Sequence, residues 1–232
     1  MKSTSSSLNG SQDEQSAMPL TIVKLGGSLL RRDDWAPRLA AWLQRESPHA
    51  RQVLIVGGGA AADAVRAADR RESWGDECSH WLAIDAMRNN LLAVAAEFPQ
   101  AVVCTCLRQV RAALPSAPWI ALDPGPLLRR ETTWRGLPPL PQSWDVTSDS
   151  IAARVAHRLS AAELVLLKSA LPPRGSTLPA MARLGYVDAY FPYSAAGLAG
   201  RMVDLARDEF PSIDWTGLHA TDAAPGPHLG AC

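Results

Sequence analysis

The sequence predicts an α/β protein with helices on both faces of a largely parallel sheet. Short apolar segments suited to strands alternate along the chain with longer segments of helical periodicity. Two of the strand segments, at 52–56 (QVLIV) and 163–168 (ELVLLK), contain continuous apolar runs, which is typical of strands buried on both faces. Ligands bind beyond the carboxyl ends of the strands in such sheets, so functional residues are expected there.

The predicted elements follow one another in a regular order. Asp34 is suited to the N-cap of an amphipathic helix, and a longer helix from Asp76 to Phe98 has an apolar stripe. Between Asp123 and Trp144 the chain is Pro-rich and irregular, which indicates a loop that can cover a site. The pattern at 201–210 does not distinguish helix from strand. In chain order we predict a strand at 20–25, a helix from 35, a strand at 52–56, helices at 60–72 and 76–98, strands at 101–106 and 119–122 with a short helix between them, a helix from 147, a strand at 163–168 and a helix near 178–184.

The composition is that of an ordinary globular protein and excludes several functional classes. With 232 residues, 47% of them hydrophobic, the chain is long enough for a substantial core. Lys+Arg and Asp+Glu both number 23, so no net charge attracts the protein to nucleic acid or to an anionic membrane. No apolar run is long enough to span a membrane, and we expect a cytoplasmic protein.

The four cysteines do not form a disulfide framework in a chain of this size. Cys104 and Cys106 lie in one predicted strand, so both side chains face the same side and are expected in the core. A metal-binding pair is the alternative, but no second pair of ligands with suitable spacing accompanies these two residues.

The two ends of the chain differ in composition from the region between them. Residues 1–17 are polar and Ser-rich and lack apolar periodicity, so we expect a disordered N-terminal tail. Residues 216–232 are expected to form a flexible C-terminal tail. The remaining residues, 18–215, are expected to form a single domain.

Two glycine loops follow two of the predicted strands. Lys24 stands near the end of the first strand, before Gly26-Gly27-Ser28, and Gly57-Gly58-Gly59 follows the second strand. Glycines leave backbone N–H groups accessible to an anion, and the following helix adds its N-terminal partial charge. Tight strand-to-helix turns also need glycine, which is the structural alternative. Two such loops, one of them led by a lysine, favour a phosphate-binding site.

Two familiar nucleotide-binding patterns fit this arrangement poorly. In the Walker pattern the lysine follows the glycines, whereas Lys24 precedes them. Gly57, Gly59 and Ala62 satisfy the dinucleotide-binding pattern G-x-G-x-x-A. The acid that binds the ribose should lie about 20 residues further on, at the end of the next strand. The acids at 76 and 77 stand instead at the start of a predicted helix, so an NAD-dependent oxidoreductase rests on that pattern alone.

Besides the two glycine loops, the candidate site includes a carboxylate at a helix start and a second lysine at a strand end. Thr147 is suited to cap the helix that begins there, and Asp149 falls in its first turn, where an acid also stabilises the helix dipole. Lys168 ends a strand that is otherwise buried, so its ammonium group needs an anionic partner. Two lysines and one carboxylate beside glycine loops suit phosphoryl transfer, which depends on positioning and on neutralising charge.

The segments VKLGGSLL, VLIVGGG and WDVTSDSIAA followed by LVLLKS resemble, in this order and spacing, the amino acid kinase superfamily. The resemblance covers roughly residues 19–200. It implies a three-layer αβα sandwich around a largely parallel sheet, a kinase that uses ATP and Mg²⁺, and a homo-oligomer. The site residues predicted on these grounds are catalytic Lys24, Asp149 and Lys168, phosphate- or ATP-binding Gly26, Gly27, Ser28, Gly58, Gly59 and Ser169, and substrate-binding Gly57, Asp63, Arg66, Ser148 and Asp188, with no metal ligand from the protein.

Within the superfamily, four segments look most like the small kinases of methanofuran-type cofactor synthesis: GGGAAADAVR, SHWLAIDAM, WDVTSDS and LLKS. This resemblance implies that the acceptor is [5-(aminomethyl)furan-3-yl]methyl phosphate, which is converted to its diphosphate in one-carbon metabolism. The sequence departs from the wider superfamily where Lys168-Ser169-Ala170-Leu171 replaces an Asp-Val-x-Gly stretch. The alternatives are another acceptor, such as a nucleoside monophosphate or an amino-acid carboxylate, and a non-catalytic nucleotide-binding regulator.

The predicted acceptor contacts each have a second interpretation. Asp63 and Arg66, at positions i and i+3 after the second glycine loop, can clamp an amine and a phosphate or form a surface ion pair with each other. Asp188 can meet an aminomethyl cation or cap a helix. Trp144 is close enough in sequence to the site residues to stack on a ring.

Overall fold

The fold is described from a computed structural model, which places residues 18–46 and 48–215. The tails predicted at 1–17 and 216–232 lie outside the described residues, and the single domain stays a prediction. The strands are β1 (Leu20–Leu25), β2 (Arg51–Val56), β3 (Val102–Cys104), β4 (Ile120–Leu122), β5 (Glu163–Lys168), β6 (Gly200–Asp204) and β7 (Ser212–Asp214).

Eight α-helices and one 3-10 helix accompany these strands in the described part of the chain. The 3-10 helix, Gly27–Arg31, follows the first glycine loop directly. The α-helices are α1 (Trp35–Glu46), α2 (Gly59–Glu72), α3 (Asp76–Glu97), α4 (Leu107–Ala113), α5 (Gly125–Leu128), α6 (Ser148–Leu159), α7 (Leu178–Arg183) and α8 (Phe191–Ser194).

The strands form one sheet in the order β3-β4-β2-β1-β5-β6-β7. All neighbouring strands are parallel except β6 and β7, which are antiparallel. β1 lies between β2 and β5, so the residues that follow these three strands meet at one edge of the sheet. Lys24 is in register with Leu166 of β5, which places it two residues below the level of Lys168.

The side chains of the central strands alternate between two apolar layers, one on each face of the sheet. Ile22 of β1 faces a layer that contains Ile151 of α6, whereas Val23 faces a layer that contains Trp42 of α1. Both faces are therefore covered by helices, because every second residue of a strand points to the same side. This architecture confirms the predicted αβα sandwich with a largely parallel sheet.

Several predicted elements differ in detail from those observed. The strands predicted at 101–106 and 119–122 are each three residues long. Cys106 lies beyond β3 at the N-cap of α4 and is half-buried, so the prediction that it shares a strand face with buried Cys104 was wrong. The segment at 201–210, left open by its pattern, begins as strand β6 because it pairs with β5. No described helix is long and apolar enough to cross a membrane.

Candidate active site

Lys24, Asp149 and Lys168 meet at the carboxyl edge of the sheet. The Lys24 ammonium lies 2.9 Å from Oδ1 of Asp149, and Nζ of Lys168 donates a hydrogen bond of 2.7 Å to Oδ2. The side chains of Lys24 and Asp149 are each 5% exposed and that of Lys168 is 14% exposed. One carboxylate therefore holds two ammonium groups side by side within a largely desolvated cluster.

The cluster contains two ammonium groups but only one carboxylate, and this excess of positive charge shifts the pKa values of its members. Burial alone would raise the pKa of Asp149, but the two ammonium groups outweigh it and lower that pKa to about 2. Burial lowers the pKa of Lys168 to about 8; Asp149 opposes this shift and Lys24 adds to it. With all three groups ionised the cluster carries one net positive charge, which a bound anion would neutralise.

The two glycine loops contact each other across the carboxyl ends of β1 and β2. A Cβ atom on Gly27 would lie 2.2 Å from the nitrogen of Gly59, and Gly59 itself has a φ of +52°. Glycine is therefore required here for the close approach of the loops and for a left-handed conformation, as the structural alternative held. The loops also retain free donors, because Gly27 and Gly59 begin helices and their N–H groups have no intrahelical acceptor.

The N–H groups of Gly26 and Gly57 are already hydrogen-bonded to the sheet. The Gly26 N–H donates to the carbonyl of Leu167 at 2.8 Å, and the Gly57 N–H donates to that of Leu25 at 2.9 Å. Asn90 of α3 donates to the Gly57 carbonyl at 2.8 Å, which fixes the second loop. The Gly26 N–H, expected to donate to phosphate, is thus already used within the protein.

Asp188 caps the helix that carries Asp149. Its Oδ2 accepts hydrogen bonds from the backbone nitrogens of Thr147 and Ser150, each at 3.0 Å. Thr147 occupies the N-cap position, but its hydroxyl donates to Asp188 instead of accepting from the helix. Asp188 was expected either to meet an aminomethyl cation or to cap a helix, and its observed contacts are those of a helix cap.

Asp63 and Arg66 lie on the opposite wall, and they do not pair with each other. Asp63 forms an exposed ion pair with Arg31 of the 3-10 helix. The Arg66 guanidinium stacks on the Trp144 ring, 4.5 Å from its centroid, and the indole N–H of Trp144 donates to Asp69 at 2.9 Å. The surface pair proposed between positions 63 and 66 is therefore wrong. Among the described residues, Arg66 has no carboxylate partner within ion-pair distance.

These groups surround one open cavity of about 470 Å³. All the predicted site residues line it except Ser169, which is exposed and has its hydroxyl 3.4 Å from that of Ser28. Sequence reasoning missed Arg31 and the segment at 185–187, and it left Trp144 outside the predicted set. The cavity is lined by Lys24, Gly26, Gly27, Ser28, Arg31, Gly57, Gly58, Gly59, Ala62, Asp63, Arg66, Trp144, Thr147, Ser148, Asp149, Lys168, Gly185, Tyr186, Val187, Asp188 and Ala189.

The cavity fits a polyanion better than a bare metal ion. No group of three or more His, Cys, Asp or Glu side chains suited to a metal ion occurs in the described part of the chain. Both oxygens of Asp149 face ammonium groups, which disfavours a cation there.

Comparison of the sequence with protein-family models and with curated protein sequences finds no match. The structure is similar to several solved structures. UMP kinase from Bacillus anthracis gives a TM-score of 0.61 at 12% identity, over 82% of this chain and 89% of that one. Uridylate kinase from Archaeoglobus fulgidus gives 0.52 at 15% identity, over 79% and 89%. Aspartate kinase from Synechocystis gives 0.58 at 13% identity, over 86% of this chain and 41% of that one.

At such identities the similarity establishes a shared fold. The neighbours are described as UMP or uridylate kinases and an aspartate kinase, and their fold agrees with the predicted αβα sandwich. The chain shares the fold of these UMP, uridylate and aspartate kinases.

Proposed function

We propose that the protein is an ATP-dependent phosphotransferase that acts on a small phosphorylated acceptor. The observation that carries this proposal is the Lys24–Asp149–Lys168 cluster, in which one carboxylate holds two ammonium groups at the mouth of two glycine loops. Charge accumulates on the transferred phosphoryl group and the leaving oxygen during transfer. Preorganised cations at that point stabilise the transition state.

The lysines and Asp149 have different roles in the proposed transfer. Lys24 and Lys168 neutralise the phosphoryl oxygens as the bond to ADP breaks and the bond to the acceptor forms. Asp149 fixes both ammonium groups and takes no proton, since its pKa of about 2 keeps it ionised. The N–H groups of Gly27 and Gly59 supply further donors at the starts of their helices. ATP supplies the phosphoryl group, and its Mg²⁺ neutralises part of the phosphate charge.

The side chains of the cavity favour an acceptor that is already an anion. A hydroxyl or amine acceptor would need a general base, but Asp149 is held by lysines and Asp188 by four donors. Asp63 is paired with Arg31, and no histidine lines the described cavity. A phosphate or carboxylate oxygen needs no such deprotonation. The nucleophile is therefore proposed to be an acidic group of the acceptor.

The first choice of acceptor is [5-(aminomethyl)furan-3-yl]methyl phosphate, with its diphosphate as product and a role in one-carbon cofactor synthesis. Arg66 supports this choice as a cation without a carboxylate partner in the described residues, and Trp144 provides a flat aromatic surface beside it. Asp63, exposed on the same wall, would meet the aminomethyl cation if it exchanged its partner Arg31.

The alternative acceptor is a nucleoside monophosphate or an amino-acid carboxylate. The similarity to proteins described as UMP kinases and an aspartate kinase supports this alternative. A non-catalytic nucleotide-binding regulator is less well supported, because both lysines and Asp149 are retained with direct contacts. We also propose a cytoplasmic homo-oligomer without nucleic-acid or membrane partners.

The test is Mg²⁺-dependent release of ADP from ATP with a panel of acceptors. The panel contains the furan-methyl phosphate, UMP, isopentenyl phosphate, acetylglutamate and aspartate. Turnover with one of them identifies the acceptor. Turnover only with a carboxylate would overturn the phosphorylated acceptor, and ATP binding without turnover across the panel would favour the regulator.

A further inference from the structure

We propose that Asp188 is a positioning residue: it fixes the first turn of α6 and thereby holds Asp149 between the two lysines. The turnover measurements that test this role rest on the proposed phosphotransferase activity, whereas the measurements on the lysine side chains do not. The geometry of the lysine cluster can be measured without turnover, so the two proposals can fail separately.

Asp188 accepts four hydrogen bonds from two residues at the N-terminal turn of α6. Oδ2 accepts from the nitrogen and the hydroxyl of Thr147, at 3.0 and 2.9 Å, and from the nitrogen of Ser150 at 3.0 Å. Oδ1 accepts from the Ser150 hydroxyl at 2.5 Å. The Ser194 hydroxyl of α8 in turn donates to that of Ser150 at 2.9 Å. Asp149 lies between the two residues that Asp188 holds, so its backbone cannot shift without breaking these bonds.

This arrangement replaces the usual local cap with a distant one. Thr147 has the extended backbone of an N-cap residue, but its own side chain makes no capping hydrogen bond. The Asp188 carboxylate, far along the chain, accepts the hydrogen bonds that an N-cap side chain would otherwise accept. It also places a second negative charge near Asp149, an arrangement that a helix end alone does not require.

The contacts of Asp188 argue against a direct role in binding an acceptor amine. Both carboxylate oxygens are already hydrogen-bonded, so a ligand amine would have to displace part of the cap. Burial, and then the Asp149 charge, raise the pKa of Asp188 to about 6, while the hydrogen bonds from Ser150 and Thr147 oppose that rise. The charged groups that act on it are Asp149 of α6 and Lys168 of β5, with Lys24 of β1 on the far side of Asp149.

The direct test uses the lysines themselves. The sequence contains three lysines, at 2, 24 and 168, so a protein labelled with ¹³C at lysine Cε gives two signals from the site. Their assignment follows from Lys24→Arg and Lys168→Arg. The Asp188 charge supports the pKa of Lys168, which is about 8, so both Asp188→Ala and Asp188→Asn should lower it through loss of that charge. We expect Asp188→Ala to change the Lys168 titration further than Asp188→Asn does, because only the amide oxygen of Asn can still accept from the two backbone N–H groups that flank Asp149.

Turnover supplies the second readout. We expect Asp188→Ala to lower kcat about 10²-fold, the effect typical of a small misplacement of a catalytic group, with little change in KM. Asp188→Asn keeps an acceptor for the two backbone N–H groups, so its kcat should lie between those of the wild type and Asp188→Ala. A kcat of Asp188→Ala equal to that of the wild type would overturn the positioning role.

The outcomes separate positioning from ligand binding and from a purely structural role. A rise in KM for a cationic acceptor at unchanged kcat, in both variants, would assign Asp188 to acceptor binding instead. Identical lysine titration curves in folded Asp188→Ala and Asp188→Asn proteins would overturn the positioning role, whatever the turnover. Absence of turnover in the wild type, with the lysine titration altered more in Asp188→Ala than in Asp188→Asn, would refute the phosphotransferase and leave the positioning intact.

Discussion

Asp149→Asn is the change that most severely tests the lysine cluster. It preserves the shape of the side chain and removes the one negative charge that separates two buried ammonium groups. The amide oxygen can accept from one lysine, but the amide nitrogen then faces the other ammonium group. The ammonium nitrogens lie 2.9 and 2.7 Å from the carboxylate oxygens in the wild type, so both ion pairs are broken.

The expected loss of stability follows from the burial of these groups. Removal of one partner from a buried ion pair costs about 3–5 kcal/mol, because a charge is left without compensation. We expect a decrease in the free energy of unfolding of that order near neutral pH. The deficit should be largest at acid pH and should shrink as the pH rises towards about 8, because Lys168 without its carboxylate partner loses its proton at a lower pH than in the wild type and then no longer repels Lys24. Urea denaturation at several pH values measures it.

The kinetic effect should appear in kcat. The misplaced ammonium groups would no longer meet the charge that develops during transfer, and the loss of one preorganised electrostatic contact lowers kcat by about 10²–10³-fold. The affinity for MgATP should be retained, since its phosphates can compensate the unpaired lysines. Asp145→Asn, at an exposed acid that lies just before α6 and outside the cavity, is the matched control. A change confined to KM, or a loss of stability no larger than that of the control, would refute the role given to Asp149.

Three further predictions concern the pH dependence, the loop contact and the acceptor wall. As the pH rises through about 8, kcat/KM should fall because Lys168 loses its proton. Lys168→Arg should remove this alkaline decrease in kcat/KM, because an arginine keeps its charge. A decrease that persists in the variant would contradict its assignment to Lys168. Gly27→Ala should destabilise the fold by about 1–3 kcal/mol in thermal unfolding, because its Cβ would lie 2.2 Å from the Gly59 nitrogen; unchanged stability would show that the loops can separate freely. Arg66→Ala should raise KM for an anionic acceptor about tenfold without affecting KM for ATP, with Arg70→Ala on the same helix as the control. Equal effects of the two arginine changes would remove Arg66 from the acceptor site.

The sequence predicted those parts of the site that lie at the ends of strands and helices recognisable from short stretches of sequence. β1 and β5 have the predicted bounds: β1 ends one residue after Lys24, where the first glycine loop begins, and β5 ends at Lys168. Lys24, Asp149 and Lys168 could be named together because the carboxyl ends of parallel strands and the N-termini of the connecting helices lie at the same edge of the sheet. The predicted fold is confirmed and the three side chains do lie together, whereas their catalytic role stays a prediction.

The contacts that the sequence did not predict join distant residues. Asp188 caps α6 from 38 to 41 positions away, and no pattern at 185–189 indicates which helix end it meets. Arg31 reaches the cavity through a 3-10 helix that periodicity did not reveal. Cys106 was misplaced because β3 ends at Cys104, where the chain turns into α4, and a short run of apolar residues does not mark that boundary.

The most direct test of the central claim is the transfer of the γ-phosphoryl group from ATP, followed by ³¹P NMR, in the wild type and in Lys24→Ala. We expect a new phosphorylated product in the wild type and its loss in the variant, with the fold of the variant preserved. Arg70→Ala, at an exposed cation outside the cavity, should turn over like the wild type. Product formation at the wild-type rate in a folded Lys24→Ala protein would contradict the claim that this cluster carries phosphoryl transfer.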